Sequence, residues 1–445
     1  MSTYDIVIVG GGPAGFVTAL TAKRMYPDKK VCLIRKVCKA PIPCGIPYIF
    51  GTLRAVEKNI IPDAPLLNAG VEIVIDEVAS LMLKDKKLKT TRGVEISFDK
   101  LVLATGSKPA VPKIEGVDLD GVFFMRKDVN YLNRLLSSVN KARNIVIVGG
   151  GFIGVELADE LSKLNKNVTI VELLPHCLML TFDEEFCTIA EKKLRSLGVN
   201  IITNARVTRI KGEEVVKSVE LSDGRELPAD LVIVAVGARP NSDLARESGL
   251  KIGAYGGVVV DDFMRTSEPD VFAVGDCAEK YSFFTGRPVP IMLASIATAE
   301  ARVAAASLYG PRLTRGITKV VGIFSTAIRD LALGAAGLTE KMARREGFDI
   351  IVGKFQTVDR HPGALPGASK LTVKLVFSRD GIIMGGEVAG GVSVGEITNI
   401  IGLAIQNRMT ASELATMQFG THPLLTAAPT VYPIVMSAFD ALHKM

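Results

Sequence analysis

GGGPAG at residues 10–15 and GGGFIG at residues 149–154 are two copies of a glycine-rich loop with GxGxxG spacing. Each loop follows an apolar run, at residues 4–9 and 144–148, and precedes a segment of helical pattern, as a dinucleotide-binding loop requires. The glycines allow a tight turn and let the backbone approach a pyrophosphate, which the N–H groups and dipole of the following helix stabilise. Two such loops predict two dinucleotides and electron transfer between them.

Length and composition limit the class of protein. A chain of 445 residues exceeds the roughly 250–300 residues at which one core stops growing, so we expect two or three domains. Although 48% of residues are hydrophobic, no charge-free apolar run approaches the ~18 to 20 residues that span a bilayer, and no membrane partner is expected. The net charge of +6 is spread along the chain without a basic block, which argues against a nucleic-acid partner.

Cysteine usage and the first residues predict the compartment. The six cysteines have neither the density nor the spacing of a secreted disulfide scaffold. The chain has no CxxC pair and four histidines, so no metal site is expected. The first strand begins almost at once, without the pattern of a signal peptide. These features predict a cytoplasmic protein.

Strand and helix patterns suggest a duplicated α/β unit followed by a different domain. The segment LVIVAVG at residues 231–237 is similar to LVLATG at 101–106, which indicates an internal repeat, and we assign residues 257–306 to the first copy. From about Thr318, alternating apolar strands predict an antiparallel sheet with helices. The expected strands lie at 4–9, 30–35, 100–106, 144–148, 167–172, 231–237, 257–261, 270–276, 319–324, 349–355, 370–377 and 381–386. The expected helices lie at 127–139, 182–197 and 291–306, after each glycine loop, and from Gly395 onward.

These motifs, in this order, resemble the pyridine-nucleotide disulfide oxidoreductases over nearly the whole chain. The resemblance implies an α/β fold with two Rossmann-like nucleotide-binding domains, one for FAD and one for NAD, and a C-terminal α+β dimerisation domain. It also implies a homodimer in which the C-terminal domain contributes to the partner's active site. The expected boundaries are 1–112 and 243–317 for a discontinuous FAD domain, 113–242 for the NAD(P)H domain and 318–445 for dimerisation.

The first loop is expected to bind FAD. In the family, a late strand ending in glycine and aspartate completes this site, and Asp276 matches the residue that bonds the ribityl chain. The second strand ends in Arg35, where an acidic residue usually bonds the adenosine ribose, so we expect Arg35 to stack on adenine or to reach a phosphate. The predicted contacts to FAD are Gly10, Gly12, Pro13, Ala14, Gly15, Arg35, Ala104, Thr105, Gly106, Gly275 and Asp276.

The second loop is expected to bind NADH. Glu172 ends the strand at 168–171, where a carboxylate bonds both ribose hydroxyls and repels a 2′-phosphate, so NADH is preferred over NADPH. Glu156 matches a family glutamate near the nicotinamide, or serves as a carboxylate at a helix N-terminus. The predicted contacts are Gly149, Gly151, Phe152, Ile153, Gly154, Glu156, Glu172 and Gly237.

Cys44 is the candidate redox centre. The segment PCGIPY at residues 43–48 resembles the branch of the family with a single redox cysteine, which includes coenzyme A disulfide reductase, NADH oxidase, NADH peroxidase and the NAD(P)H sulfur or persulfide reductases. A thiolate there attacks a disulfide or sulfane sulfur and is regenerated by electrons from the flavin. The alternatives are a packing cysteine and a disulfide with Cys38. Pro13 stands where the peroxidases carry histidine, which disfavours peroxidase activity.

Further candidates concern the substrate. Lys23 and Arg24 occupy the place of paired basic residues that contact coenzyme A in the family, or are solvated surface. His361 and His422 stand where tyrosines of the partner's C-terminal domain are expected to face the sulfur. The sequence at 422–423 also resembles the His-Pro acid/base of two-cysteine reductases, although Ala427 replaces the orienting glutamate. A structural position at the dimer interface is the alternative for both histidines.

The leading hypothesis is an FAD-dependent enzyme that passes electrons from NADH through flavin to Cys44 and reduces a small disulfide, persulfide or polysulfide. Coenzyme A derivatives are the favoured substrates, and coenzyme A itself is expected as a ligand or as a mixed disulfide with Cys44. The alternative within the family is an NADH oxidase that reduces O₂ while the cysteine cycles through sulfenic acid. The alternative from another class is a flavin-binding redox sensor without turnover.

Overall fold

The structure is a computed structural model that describes residues 2–313 and 319–445. Its strands are β1 Ser2–Val9, β2 Val31–Arg35, β3 Glu72–Ile75, β4 Val78–Met82, β5 Lys87–Thr90, β6 Glu95–Leu103, β7 Ser107–Pro109, β8 Val122–Phe124, β9 Asn144–Val148, β10 Asn167–Val171, β11 Asn200–Ile202, β12 Val207–Gly212, β13 Val216–Leu221, β14 Glu226–Pro228, β15 Leu231–Val234, β16 Ala238–Pro240, β17 Val271–Ala273, β18 Ile323–Ile328, β19 Leu331–Gly337, β20 Ile350–Val358, β21 Lys370–Ser378 and β22 Ile383–Gly390. Its helices are α1 Pro13–Met25, α2 Ala64–Asn68, α3 Val129–Lys141, α4 Phe152–Ser162, α5 Glu184–Ser196, α6 Asp243–Glu247, α7 Ala294–Ala306, α8 Glu340–Arg345, α9 Val394–Gln406, α10 Ala411–Ala415 and α11 Pro433–His443.

The chain divides into two compact units, of which the first comprises Met1–Val111, Phe124–Lys141 and Gly237–Val320. Its main sheet has the order β3-β2-β1-β6-β5-β4, and β17 also pairs with β6. Strands β3, β2, β1, β6 and β17 are parallel, whereas β5 and β4 continue the sheet in antiparallel pairs. Residues 6–9 of β1 and 31–34 of β2 form continuous apolar runs, because both faces of the sheet are buried in hydrophobic cores.

Small side chains let two helices of the first unit pack closely. The α1 and α7 helices share a core that includes Ala19 and Ala304, both fully buried. The Tyr26 hydroxyl donates to the Ala306 carbonyl at 2.8 Å, which joins the C-terminal ends of both helices. The two helices therefore pack side by side with their C-terminal ends together.

The second unit comprises Pro112–Phe123, Ala142–Val236 and Val321–Met445. It contains a sheet of order β11-β10-β9-β15-β8, a three-stranded antiparallel sheet of β12, β13 and β14, and a five-stranded antiparallel sheet of order β18-β19-β22-β21-β20. The α11 helix packs so closely on β20 that a Cβ atom on Gly353 would lie 1.9 Å from the Ser437 carbonyl oxygen. Glycine is therefore required at that crossing.

Most predicted elements are present, and the exceptions have simple causes. The segment 257–261 is no strand, because Val258 forms only isolated bridges to Ile252 and Ala278. The strand predicted at 319–324 begins instead at Ile323, and the predicted domain start near Thr318 falls outside the described residues. Strand β19 was not expected, since its sequence LALGAAG is rich in residues with low strand propensity. The division into three domains stays a prediction.

Among the described residues, no helix has the length and apolar character needed to cross a membrane.

Candidate functional site

The first glycine loop turns sharply between β1 and α1. Gly10 has a φ of +123°, and its N–H donates to the Ile34 carbonyl at 2.8 Å. A Cβ atom on Gly15 would lie 1.9 Å from the Gly10 oxygen, whereas one on Gly12 would meet nothing within 4 Å. Gly12 therefore faces open space at the first turn of α1, a helix that carries no acidic residue in its first turn. Exposed N–H groups in this setting form an anion site.

Two further predicted residues join this loop. The carbonyl oxygen of Ala104, after β6, would lie 2.1 Å from a Cβ atom on Gly10. Gly275 follows β17, and a Cβ atom added to it would lie 2.9 Å from the Ala14 Cβ. Asp276 follows directly, and its Oδ2 accepts a hydrogen bond from Ser107 Oγ at 2.7 Å. The loop, the end of β6 and the Gly275-Asp276 turn thus form one site.

The segment after β6 and the Asp276 carboxylate have additional partners. Lys127 Nζ lies 3.3 Å from Asp276 Oδ2, so this carboxylate keeps a cation beside it. Thr105 Oγ1 donates to the Asn241 carbonyl at 2.6 Å, and the Asn241 N–H donates to the Gly106 carbonyl at 2.8 Å. These bonds fix the path of residues 105–106 away from the sheet.

A buried ion pair supports the Gly275-Asp276 turn. Lys280 Nζ lies 3.0 Å from Glu300 Oε2, and both side chains are almost completely buried. Glu300 Oε2 also accepts the Gly275 N–H at 2.9 Å, and Lys280 Nζ donates to the Gly275 carbonyl at 2.7 Å. The pair therefore holds both polar groups of the Gly275 backbone and positions Asp276.

Arg35 lies against the first loop and is held there by several hydrogen bonds. A Cβ atom on Gly11 would lie 2.6 Å from Arg35 Cδ, which shows how closely the side chain covers the loop. Its guanidinium donates to both carboxylate oxygens of Asp63, at 2.7 and 2.6 Å, and to the Cys38 carbonyl at 2.6 Å. Arg35 thus links the loop to the segment that leads to Cys44.

Cys44 lies on an exposed helical turn, Pro43–Gly45. Buried Asn59 holds this segment, because its Nδ2 donates to the Ile42 carbonyl at 2.9 Å and a Cβ atom on Gly45 would overlap its side chain. All six cysteines are thiols, so Cys44 and Cys38 form no disulfide with each other. Burial raises the pKa of Cys32 to about 12, which removes that thiol as a nucleophile at neutral pH.

Burial has the same effect on the other enclosed thiols. It raises the pKa of Cys187 to about 12 and moves the pKa values of Cys177 and Cys277 upward as well. Cys38 and Cys44 are the exposed cysteines of the chain. Sulfur chemistry with an external substrate is therefore confined to these two positions.

The second glycine loop repeats the geometry of the first between β9 and α4. Gly149 has a φ of +107°, and a Cβ atom there would lie 2.7 Å from the Ala235 oxygen. A Cβ atom on Gly154 would lie 2.0 Å from the Gly149 oxygen, whereas Gly151 again faces open space. The α4 helix begins at Phe152, so its first N–H groups are directed to the open side of the loop.

Glu172 is bound to the second loop itself. Its Oε2 accepts the Gly150 N–H at 2.6 Å and its Oε1 accepts the Leu174 N–H at 2.7 Å. The residue is 9% exposed, and a Cβ atom on Gly150 would contact the carboxylate at 3.2 Å. The carboxylate is therefore fixed at the end of β10, where a ribose-binding acid is expected.

Strand β18 contacts the first turns of α4. Phe152 stacks on Phe324 with ring centroids 5.6 Å apart and an interplanar angle of 13°. Thr326 Oγ1 lies 2.9 Å from Glu156 Oε1. Burial raises the pKa of Glu156 to about 7, and the neighbouring carboxylates of Asp159 and Glu160 add to this shift while the Thr326 hydrogen bond opposes it. Glu156 is thus placed to exchange a proton near neutral pH.

The two candidate histidines lie together in the C-terminal sheet region of the second unit. His361 Nδ1 lies 3.0 Å from the Thr426 carbonyl oxygen. His422 is exposed. Its backbone carbonyl accepts a hydrogen bond from the Thr426 N–H at 3.0 Å, and its side-chain Nδ1 accepts one from the Leu424 N–H at 3.3 Å. One turn, 422–426, therefore joins both imidazoles.

The basic residues at the end of α1 differ from each other. Lys23 Nζ donates to the carbonyls of Pro27 and Lys29 at 2.8 and 3.1 Å, so it is held against the turn that follows the helix. Arg24 is exposed. Gly237 lies in the first unit, where its carbonyl accepts the Ala110 N–H at 2.9 Å. The predicted roles of these three residues stay predictions.

The sequence did not single out several residues that support these sites. Most of them contact partners more than a hundred positions away in the sequence. Only Glu300 could have been noticed from the sequence, as the one acidic residue in the alanine-rich α7. These residues are Asp63, Ser107, Lys127, Asn241, Lys280, Glu300 and Thr326.

Two Rossmann-type loops on parallel sheets, together with an exposed cysteine, define a nucleotide-dependent oxidoreductase. Residues 4–301 match the family model described as pyridine nucleotide-disulphide oxidoreductase, and residues 323–431 match the dimerisation domain of that family. The chain belongs to this family, whose members use FAD and NAD(P)H and whose dimerisation domain indicates a homodimer.

Named relatives divide between two activities. The chain is 32% identical to an NADH oxidase of Methanocaldococcus jannaschii, over 99% of both chains. It is 34% identical to an NAD(P)H coenzyme A polysulfide/persulfide reductase of Pyrococcus horikoshii, over 86% of this chain and 87% of the relative. The solved NAD-dependent persulfide reductase from A. fulgidus superposes with a TM-score of 0.92 at 29% identity, covering 99% of this chain and 83% of that one.

The residues present fit the cofactors that the family implies. The open sides of Gly12 and Gly151 leave room for a phosphate where any side chain would intrude, and both lie at helix N-termini. Arg35 Nε is buried and has no hydrogen-bond partner in the described ranges, which leaves a donor for an oxygen near the first loop. Pyrophosphate groups of two dinucleotides suit both loops.

Proposed function

We propose that this protein is an FAD-dependent NADH oxidoreductase that reduces a small disulfide, persulfide or polysulfide through Cys44, with coenzyme A derivatives as favoured substrates. The observation that carries the proposal is the exposed Cys44 thiol beside a segment tied by Arg35 to the first nucleotide loop. The coenzyme A persulfide reductase of Pyrococcus horikoshii, similar along most of the chain, supports this choice of substrate.

The first loop, completed by Asp276, is the proposed FAD site, and the second loop with Glu172 is the proposed NADH site. FAD, when bound, supplies two-electron chemistry: it takes hydride from NADH and delivers two electrons to the sulfur. Glu172 selects NADH, because its fixed carboxylate accepts hydrogen bonds from the ribose hydroxyl groups and repels a 2′-phosphate. NADPH is therefore the weaker donor.

Cys44 carries the sulfur chemistry. Its thiolate attacks one sulfur of a substrate RSSR′, forms a Cys44–S–S–R bond and releases R′S⁻, which takes a proton. Two electrons and one proton then cleave that bond, releasing RSH and restoring the Cys44 thiolate. The balanced reaction is NADH + H⁺ + RSSR′ → NAD⁺ + RSH + R′SH, and a persulfide RSSH gives RSH and H₂S. Coenzyme A bound as a mixed disulfide is the resting form of the same bond.

Proton donation is assigned to the histidines at the 422–426 turn. In a homodimer, we propose that His361 and His422 of one copy face the Cys44 of the other and protonate the leaving thiolate. Arg24, exposed at the end of α1, is the proposed contact to an acidic or phosphorylated thiol. The His422→Gln variant is expected to slow poor leaving thiols more than good ones, whereas His443→Gln, at the exposed C-terminus, is expected to leave both rates unchanged.

Steady-state assays on the purified protein test the proposal. NADH oxidation is followed with coenzyme A disulfide, a coenzyme A persulfide and polysulfide under anaerobic conditions, for the wild type, Cys44→Ser and the matched control Cys38→Ser. We expect loss of sulfur reduction in Cys44→Ser and retention in Cys38→Ser, because both cysteines are exposed but only Cys44 is the proposed nucleophile. Unchanged reduction by Cys44→Ser would contradict the proposal.

A second candidate is an NADH oxidase, which the relative of that name in Methanocaldococcus jannaschii supports. In that case NADH consumption tracks O₂ uptake and does not respond to sulfur substrates. A redox sensor is the third: rapid mixing with NADH then shows slow flavin bleaching and no multiple turnovers. The predicted cytoplasmic location is tested separately by cell fractionation.

A further inference from the structure

The first loop has an unusual residue at the end of its neighbouring strand. A carboxylate in that position commonly bonds the ribose hydroxyls of a dinucleotide, but β2 ends in Arg35. The Arg35 side chain is 4% exposed and lies along Gly11, where a Cβ atom would come within 2.6 Å of its Cδ. A guanidinium so placed gives the ribose position a positive charge and no acceptor.

Arg35 also brings a carboxylate to the same place. Its Nη1 and Nη2 donate to the two oxygens of Asp63 at 2.7 and 2.6 Å. This two-point contact fixes the plane of the carboxylate. Asp63 directly precedes α2, and its side chain is 33% exposed. Since each carboxylate oxygen accepts more than one hydrogen bond, Asp63 keeps acceptor capacity on its open side.

An independent observation points to a ligand. Arg35 Nε is buried, and within residues 2–313 and 319–445 no acceptor bonds it. Buried donors in folded proteins have partners with few exceptions, so this N–H indicates an oxygen that the chain itself does not supply. A nucleotide seated on the first loop brings ribose and phosphate oxygens to the neighbourhood of Gly11.

We propose that Asp63 is the carboxylate that binds the adenosine ribose at the first loop and that Arg35 is its positioning residue. The acid is supplied by a loop 28 positions after the strand end rather than by the strand itself. The inference rests on the proposed assignment of FAD to this loop. The net effect on the site is a neutral ion pair in place of a single negative charge.

The test measures binding of FAD, of its 2′-deoxyadenosine analogue and of FMN to the full-length apoprotein by fluorescence titration. We expect the wild type to bind FAD about tenfold more tightly than the deoxy analogue, as a hydrogen bond to a charged acceptor predicts. Asp63→Asn is expected to bind FAD and the deoxy analogue with equal affinity, weaker than the affinity of the wild type for FAD. FMN lacks the adenosine, so its affinity is expected to be the same in both proteins. The exposed Asp28→Asn is the matched control, with wild-type discrimination.

Arg35→Lys provides a second variant in case Asp63→Asn does not fold. A lysine keeps the positive charge but cannot hold both oxygens of Asp63, so we expect reduced discrimination between FAD and the deoxy analogue with FMN binding unchanged. If Asp63→Asn discriminates as the wild type does, or if the wild type does not discriminate at all, the inference is wrong. If the wild type fails to bind FAD, the assignment of FAD to the first loop fails instead.

Discussion

The two glycine-rich loops have nearly the same backbone but opposite charges at the neighbouring strand end. In both, a Cβ atom added to the last glycine would overlap the oxygen of the first, at 1.9 Å for Gly15 and 2.0 Å for Gly154. A Cβ atom on Gly11 of the first loop would meet the Arg35 side chain, whereas the Gly150 N–H of the second loop donates to the Glu172 carboxylate. Local turn geometry is therefore shared, whereas the charge beside each loop is set by side chains outside the turn.

The helices that follow the loops differ in the same sense. The α1 segment PAGFVTALTAKRM contains no acidic residue, whereas α4 carries Glu156, Asp159 and Glu160. The first loop is braced by the Lys280–Glu300 pair behind Gly275, and the second by the β18 contacts of Phe152 and Glu156. One loop design is thus held in place by two unrelated sets of partners.

The largest expected effect comes from removing the Lys280–Glu300 ion pair that supports the first loop. Lys280→Met leaves the Glu300 carboxylate buried without the charge of Lys280, which is expected to lower the free energy of unfolding by about 3–5 kcal/mol. Adding Glu300→Gln removes the charge and is expected to restore most of that loss, since a neutral amide still accepts the Gly275 N–H. Urea unfolding of the wild type, single and double variants measures both. A double variant as unstable as the single one would contradict this account.

Alanine substitutions within each loop separate folding from cofactor binding. Gly15→Ala is expected to destabilise the protein by about 1–3 kcal/mol, because its Cβ overlaps the Gly10 oxygen. Gly12→Ala is expected to leave unfolding within about 0.5 kcal/mol of the wild type while it weakens FAD binding. Gly154→Ala and Gly151→Ala are expected to repeat the pattern for NADH with FAD retained. Thermal unfolding and nucleotide titrations distinguish the two loops, and equal effects of all four on FAD would refute the separate assignments.

Measuring the preference for NADH over NADPH tests the role of the Glu172 charge at the end of β10. Glu172→Gln keeps the size of the side chain but weakens its bonds to the Gly150 and Leu174 N–H groups, so we expect NADH affinity to fall about tenfold and the preference over NADPH to shrink. The ratio of kcat/KM for the two nucleotides measures the change. Glu213→Gln, on an exposed turn, controls for net charge. An unaltered ratio in Glu172→Gln would show that selectivity arises elsewhere.

The last comparison concerns the pH dependence of the acidic helix α4. Because burial raises the pKa of Glu156 from 4.5 to about 7, the folded state binds this proton more tightly than the unfolded state does. Stability from this group is therefore present at low pH and is lost as the pH rises from 4.5 to about 7. Wild-type protein is expected to lose about 3 kcal/mol more than Glu156→Gln across that window, since each unit of pKa difference corresponds to about 1.4 kcal/mol. Urea unfolding at several pH values tests this, and parallel curves for the two proteins would exclude it.

Much of the fold could be predicted because its signals are local. The strands at 144–148 and 370–377 and the helix at 182–197 follow directly from runs of apolar residues and their periodicity. Strand β19 could not, since alanine and glycine give no strand signal until neighbouring strands pair with them. The boundaries of the first unit are also nonlocal, because it gathers three separate stretches of chain.

The sequence by itself determined the two glycine-rich loops, the redox candidate Cys44 and the family, because tight turns and their glycines depend on residues adjacent in the chain. Only the tertiary structure decided which charged and polar side chains meet. The pairs Arg35–Asp63, Lys280–Glu300 and Glu156–Thr326 join positions 28, 20 and 170 residues apart. Their energies depend on burial and on distances of a few ångströms, which are fixed when distant segments pack and which residue order alone does not specify.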